Sequence, residues 1–180
     1  MLLERVDLLD RVLDTHAAEL AADFTGYRNH CYRVLNLCAA QVPGLGNDGA
    51  TLGQFALAAA FHDLGIWTAH TFDYLAPSAA LACDHLACAG HGGREEITAM
   101  IGEHHKITRY RGAGAGLVEP FRRADWIDVS LGVLSFGLPR AQLRALFARW
   151  PNAGFHKRLA QLTWQRFRRH PLSPIPVLKW

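Results

Sequence analysis

The sequence predicts an all-α protein, and three observations carry that reading. Apolar residues recur at three- and four-residue intervals along most of the chain, and residues that start or stop helices bracket those runs. No stretch alternates at period two for long enough to make a strand. At 180 residues, half of them hydrophobic, the chain can bury one sizeable core but not two comfortable ones. With no internal repeat and no dividing linker, a single domain spanning 1–180 is expected.

Each element follows from local chemistry. From Leu2 to about Asp23, Leu2, Val6, Leu9, Val12 and Leu13 lie at helical spacing among acids and arginines, which reads as one amphipathic helix. The Thr25-Gly26 pair is expected to break the chain before a second helix, Tyr27 to Gln41, with Tyr27, Cys31, Val34, Leu35 and Cys38 on one face. The turn residues of PGLGNDG end it. Thr51 is a plausible N-cap for TLGQFALAAAFHDLG, whose alanines favour helix and whose Gly65 can take a left-handed closing turn. His62 and Asp63 then fall in that helix's last turn. Further helices are expected from Ser78 to Ala89 after Pro77, from Arg94 to about His105, and from Val118 to about Leu134 after the glycine-rich YRGAGAG. Two more follow, one opened by Pro139 and one from Phe155 to His170, before the proline-rich tail PLSPIPVLKW.

Composition narrows the function classes. MLLERVDLLD carries acids where a secretory signal needs a basic start, and no apolar run approaches membrane-spanning length, so the expected compartment is the cytoplasm, with no membrane partner. Cys31, Cys38, Cys83 and Cys88 form no CxxC pair and read as small hydrophobes in a reducing compartment. The formal net charge is +3, and after Asp128 every charged residue is basic: Arg140, Arg144, Arg149, Lys157, Arg158, Arg166, Arg168, Arg169 and Lys179. Such a field can steer a phosphorylated ligand or an acidic partner, or be no more than solvated helix faces. A nucleic-acid surface is not expected, because no binding motif accompanies the charges.

The stretch FHDLGIW poses a chemical question. A carboxylate in a segment built for burial is costly unless it is paired or coordinates a metal, and an imidazole needs a partner for each ring nitrogen. His30, His62, Asp63 and Asp125 supply two imidazoles and two carboxylates from three helices, a donor set suited to a divalent cation with positions left for water and substrate. Neighbouring helical side chains diverge by about 100°. His62 and Asp63 can therefore share an ion only if it lies ahead of the helix end, where other helices bring the remaining ligands.

The order His30, His62-Asp63, Asp125 resembles the H…HD…D signature of the HD-domain superfamily of metal-dependent phosphohydrolases. The likeness covers about 27–130, through YRNHCYRVL, FHDLGIW, MIGEHHK and FRRADWID, with 139–180 a basic C-terminal region outside the motif core. HDLGIWTAHTFDYLAPS and GFHKRL also look like an uncharacterised bacterial branch of that superfamily. The resemblance implies a helical bundle of the HD-domain type with His30, His62, Asp63 and Asp125 as metal ligands. It places the final ligand at the Asp of Ala124-Asp125 and leaves Asp128 to orient a ligand or a water.

Some members hold two metals and recruit further histidines before the final Asp. MIGEHHK resembles their adjacent pair, so His104 or His105 is expected as an additional ligand or as a phosphate-binding cation, with His85, His91 and His70 weaker candidates. The expected cofactor is one divalent ion or two, of Mn, Fe, Ni, Co, Mg or Zn. The expected activity is hydrolysis of a phosphorylated small molecule or nucleotide by a metal-activated water, with Asp63, Arg28 and Lys106 as catalytic residues. Arg28 and Lys106 stand near His30 and His105 in sequence and could offset phosphate charge; Arg109, Arg122 and Arg123 are further candidates. Two departures matter. Cyclic dinucleotide phosphodiesterases of the superfamily carry Gly-Tyr-Pro where this chain reads HHKITRYRGAGAG, and the position three past the HD aspartate, often Lys or Glu, is Ile66. A di-iron oxygenase and a non-catalytic metal- or nucleotide-binding module are the alternatives.

Overall fold

The computed structural model describes residues 2–89, 92–171 and 176–179. Among these residues no strand occurs, and the pairing of β type is an isolated parallel bridge between Lys106 and Lys179. The helices are α1 Asp7–Thr15, α2 Ala17–Leu20, α3 Phe24–Gln41, α4 Gly49–Phe61, α5 Gly65–Thr68, α6 Leu75–Ala89, α7 Arg94–Glu103, α8 Ala115–Val129, α9 Arg140–Arg149 and α10 Phe155–Arg169. Among the described residues no helix is long and apolar enough to cross a membrane.

Helices α3, α4, α7 and α8 pack on one another; α1 covers α4, α6 lies along α4 and α7, and α10 closes on α3. The core between them is aliphatic and aromatic, with Leu35, Phe55, Phe61, Met100, Ile101 and Phe121 fully or almost fully buried. Removing that apolar surface from water is the main driving force for bringing the four central helices together.

Several boundaries differ from expectation. The N-terminal run is α1, then α2, then a 3-10 turn over Ala21–Asp23, so the chain breaks at His16 and Ala21 and passes through Thr25-Gly26 without interruption. Gly26 serves packing instead: a Cβ there would stand 2.9 Å from the carbonyl oxygen of Ala153, where the start of α10 crosses α3. Asp48, not Thr51, caps α4, accepting from the Thr51 backbone N–H at 3.1 Å and from its hydroxyl at 2.6 Å. Helix α6 begins at Leu75, with Pro77 inside its first turn, where the missing N–H costs no helical bond.

Helix α4 stops at Phe61, so His62 and Asp63 form the tight turn into α5 rather than the helix's last turn. Gly65 has no positive φ. It is small because α6 lies against it: a Cβ would meet the Tyr74 carbonyl oxygen at 2.7 Å and Ser78 Oγ at 2.9 Å. Its N–H donates to that same Ser78 hydroxyl at 2.9 Å, which fixes the turn carrying His62 and Asp63.

Candidate metal centre

Four elements deliver the site. Helix α3 carries His30, the α4–α5 turn carries His62 and Asp63, the end of α7 carries His104 and His105, and α8 carries Asp125. Tyr27, one turn before His30, holds α3 to the turn: its hydroxyl donates to the Ala60 carbonyl at 2.9 Å and accepts the Asp63 N–H at 3.3 Å. Phe155, leading α10, stacks on the His30 ring with centroids 4.1 Å apart.

The hydrogen bonds of the rings leave their other nitrogens bare. Nδ1 of His62 faces the Ala59 carbonyl at 2.9 Å, and Nδ1 of His104 faces the Ile101 carbonyl at 2.7 Å. Nδ1 of His30 lies 2.6 Å from the Asp128 carboxylate. All three partners are acceptors only, so each Nδ1 carries a hydrogen and each Nε2 points inward, offering a lone pair wherever the ring is neutral. Burial pushes His62 down to about 3, which keeps it in that neutral form.

The lone pairs and the carboxylates meet in two groups. In the first, His30 Nε2 and His62 Nε2 are 2.8 Å apart. Asp63 Oδ2 lies 3.7 and 3.5 Å from these nitrogens, and Asp125 Oδ1 lies 3.7 and 3.8 Å from them. In the second, His104 Nε2 stands 3.4 Å from Asp63 Oδ1, and His105 Nδ1 stands 3.4 Å from Asp125 Oδ2. Each carboxylate thus gives one oxygen to each group. Ligand bonds of roughly 2.0–2.2 Å around a tetrahedral ion set neighbouring donors roughly 3.3 Å apart, close to the spacings here.

The donor set fits a cation on chemical grounds. Two imidazole lone pairs at 2.8 Å repel unless a proton or a metal lies between them. Asp63 Oδ1, His104 Nε2 and both oxygens of Asp125 are buried without a hydrogen-bond partner, a costly state for polar atoms. In the metal-free chain burial lifts Asp125 to about 7 against the opposing pull of His104 and His30, with the neighbouring Asp63 and Asp128 adding smaller upward pushes. Buried His and Asp side chains here could hold a metal ion, in the sets His30-His62-Asp63 and Asp63-His104-His105.

Behind the donors sits a second layer. Asp128 accepts from Arg33 Nε and, at 3.0 Å, from Arg33 Nη2, while Arg33 Nη1 donates to the Trp150 and Pro151 carbonyls at 3.0 and 3.2 Å. Burial pushes the Asp128 carboxyl up, but His30 and Arg33 more than offset it and hold it well below the usual carboxylate range. Tyr74 reaches in from α5–α6, its hydroxyl 2.6 Å from His105 Nε2. Sequence reasoning missed both Arg33 and Tyr74. Arg33 left a signal, since it lies one turn from His30 among buried apolar residues; Tyr74 left none.

Other expected residues lie elsewhere. Arg28 is turned away from the donors: its Nη2 pairs with Asp10 at 2.9 Å, and its guanidinium lies over the Tyr32 and Trp150 rings. Two residues from His30, it projects from the other side of α3. The Lys106 backbone carbonyl accepts from Arg122 Nη1 at 3.0 Å and Trp126 Nε1 at 3.1 Å. Arg122 and Arg123 both bind Glu119. His85 packs on Phe61 and His70 lines a separate cleft, while His91 lies outside the described residues. No protein-family model, curated protein or solved structure gives a significant match to this chain.

Proposed function

We propose that the chain is a metal-dependent phosphohydrolase of the HD-domain type, acting on a phosphorylated small molecule or nucleotide. One observation carries the reading: Asp63 and Asp125 each offer an oxygen to both donor groups, so the two carboxylates would be able to serve two ions. A divalent ion held by these residues would supply Lewis acidity, making a hydroxide available near neutral pH and polarising a phosphoryl oxygen. His30, His62, Asp63 and Asp125 would hold one ion; Asp63, His104, His105 and Asp125 would hold the other. The two carboxylates offset half the charge of two divalent ions, and the remainder matches a phosphate monoester dianion. Charge matching of that kind takes over the part first expected of Arg28, which is turned away from the donors. Asp128 and the Ala59 and Ile101 carbonyls hold the imidazoles in the binding tautomer.

The group Asp63-His104-His105 favours a second reading as well, a di-iron oxygenase built on the same six residues. Elemental analysis of the purified protein, followed by a phosphorylated-metabolite screen with each metal found, separates the two. Turnover of phosphate esters supports the hydrolase, and two irons with oxygen consumption support the oxygenase. Tight metal binding without either activity leaves a binding module. Asp63→Ala is the control: it should lose the metal while keeping its helical circular dichroism. Stoichiometric metal in that variant would overturn the site.

A further inference from the structure

The second donor group opens outward. Asp63, His105 and Asp125 floor a cavity of about 200 Å³ whose walls are Phe72, Trp126, Val129, Leu159, Val177 and Leu178, with Tyr74 and Thr163 at its polar edges. The C-terminal segment forms part of the wall because it is pinned to α7: Ile107 N–H donates to the Lys179 carbonyl at 2.7 Å, and Lys179 Nζ pairs with Glu103 at 3.0 Å. Trp126 is held by its bond to the Lys106 carbonyl.

No Lys or Arg lines this cavity among the described residues. Arg158, Arg166 and Arg169 line a different cleft, which shares Phe72 with this cavity and contains none of the donors. Among the described residues, the charged end of a ligand is therefore met by the ions the donor floor would hold, with Tyr74 and Thr163 at the edges, and most of what is attached to it sits against aromatic and aliphatic walls. The several hydroxyls of a sugar placed there would lose water and find few partners, Tyr74 and Thr163 being the polar groups at the edges. A hydrocarbon ring gains by the same burial, and a dry cavity of about 150 Å³ is enough for benzene.

We propose that the group bonded to the reacting phosphate is apolar, an aryl or compact branched alkyl substituent of about one ring, rather than a nucleoside or a sugar. The inference rests on the hydrolase reading for the reaction but on the cavity alone for the substituent. It sharpens the substrate class from phosphorylated metabolites in general to apolar phosphate monoesters.

The test pairs phenylphosphonate with methylphosphonate, neither of which can be hydrolysed at a phosphate ester bond, and reads binding to the metal-loaded chain by calorimetry. Burying most of a phenyl ring should tighten binding at least tenfold, roughly, over the methyl compound. Leu159→Trp, which fills the cavity with another apolar side chain, should abolish that preference without changing the metal content. Equal binding of the two compounds, or a preference that survives Leu159→Trp, overturns the proposal. Benzyl alcohol binding to the metal-free chain, followed by NMR, reads the cavity independently of any ion, and its absence also counts against the proposal. Preference for phenylphosphonate without turnover of phenyl phosphate sinks the hydrolase reading and leaves the cavity inference standing. Turnover of glycerol phosphate with a kcat/KM equal to that of phenyl phosphate does the reverse.

Discussion

Arg33→Met perturbs the centre without touching a donor. Arg33 and Asp128 are both fully buried, and the guanidinium gives Asp128 two of its bonds. Removing one partner of such a pair strands the other charge and costs about 3–5 kcal/mol. His30 Nδ1 still faces Asp128 at 2.6 Å, which places the loss toward the lower end. For a chain of this length that corresponds to a fall in melting temperature of roughly 6–20 °C. Adding Asp128→Leu removes the stranded carboxylate, so the double variant should be less damaged than the two single losses summed, by about 1–3 kcal/mol. It will not return to the parent's stability, because the His30 N–H and the Trp150 carbonyl lose their partners, while the Pro151 carbonyl keeps its bond from Asn29. The double variant should bind metal about 10–100-fold more weakly, since His30 has then lost its outer partner, whereas Arg33→Met alone leaves Asp128 on His30 and should weaken binding less. Urea denaturation of the metal-free proteins and competition with a chelator provide the two readouts. Single losses below about 1 kcal/mol, or strict additivity, would refute the account of Asp128 and Arg33 as one buried unit.

Asp125 should give the metal-free chain an inverted pH dependence. Its carboxyl is raised from 3.8 to about 7, so between these values the folded chain keeps a proton that the unfolded chain has released. Its contribution to stability is therefore present below about pH 4 and lost as pH rises to about 7. Asp125→Asn should abolish metal binding and yet leave the metal-free chain more stable than the parent above pH 7, by up to about 4 kcal/mol at 1.36 kcal/mol per unit. Chemical denaturation at pH 5 and pH 8 checks it, and an equal or lower stability of the variant at pH 8 contradicts the reading. Replacing His104 and His105 together by Ala should lower the metal count by about one ion per chain and spare the ion on His30, His62, Asp63 and Asp125, as read by elemental analysis. An unchanged count with weaker phosphate binding would instead make the pair an anion contact. Gly65→Ala should cost about 1–3 kcal/mol in urea denaturation, because its Cβ would press on the Tyr74 carbonyl and Ser78. A neutral effect would show that α6 yields easily and is not what holds the HD turn in place.

What the sequence by itself determined was local. The three- and four-residue spacing of apolar side chains, the breakers at 42–48 and the glycines before α7, α8 and α10 made the helical class and most helix limits legible, because each depends on neighbours in the chain. The pairing of His62 with Asp63 at the end of an apolar run already pointed to a cation, since burial is costly for those groups whatever the fold. Limits that depended on contact were missed. Gly26 and Gly65 look like breakers and are instead places where other segments come within reach of an absent Cβ. The three-residue spacing of Asp125 and Asp128 puts both on one side of α8, yet only the packing of α3 against α8 turns Asp125 toward both donor groups and sets Asp128 behind His30. Arg28 is nearer to His30 in sequence than Arg33, but the helix sends the first outward and the second inward to a carboxylate 95 residues away. Likewise Tyr74, Trp126 and Val177 meet over His105 and Asp125 from distant parts of the chain. Those neighbours are chosen by which helix faces bury together, so the helices could be read from spacing along the chain while the company of each donor was decided only by the tertiary fold.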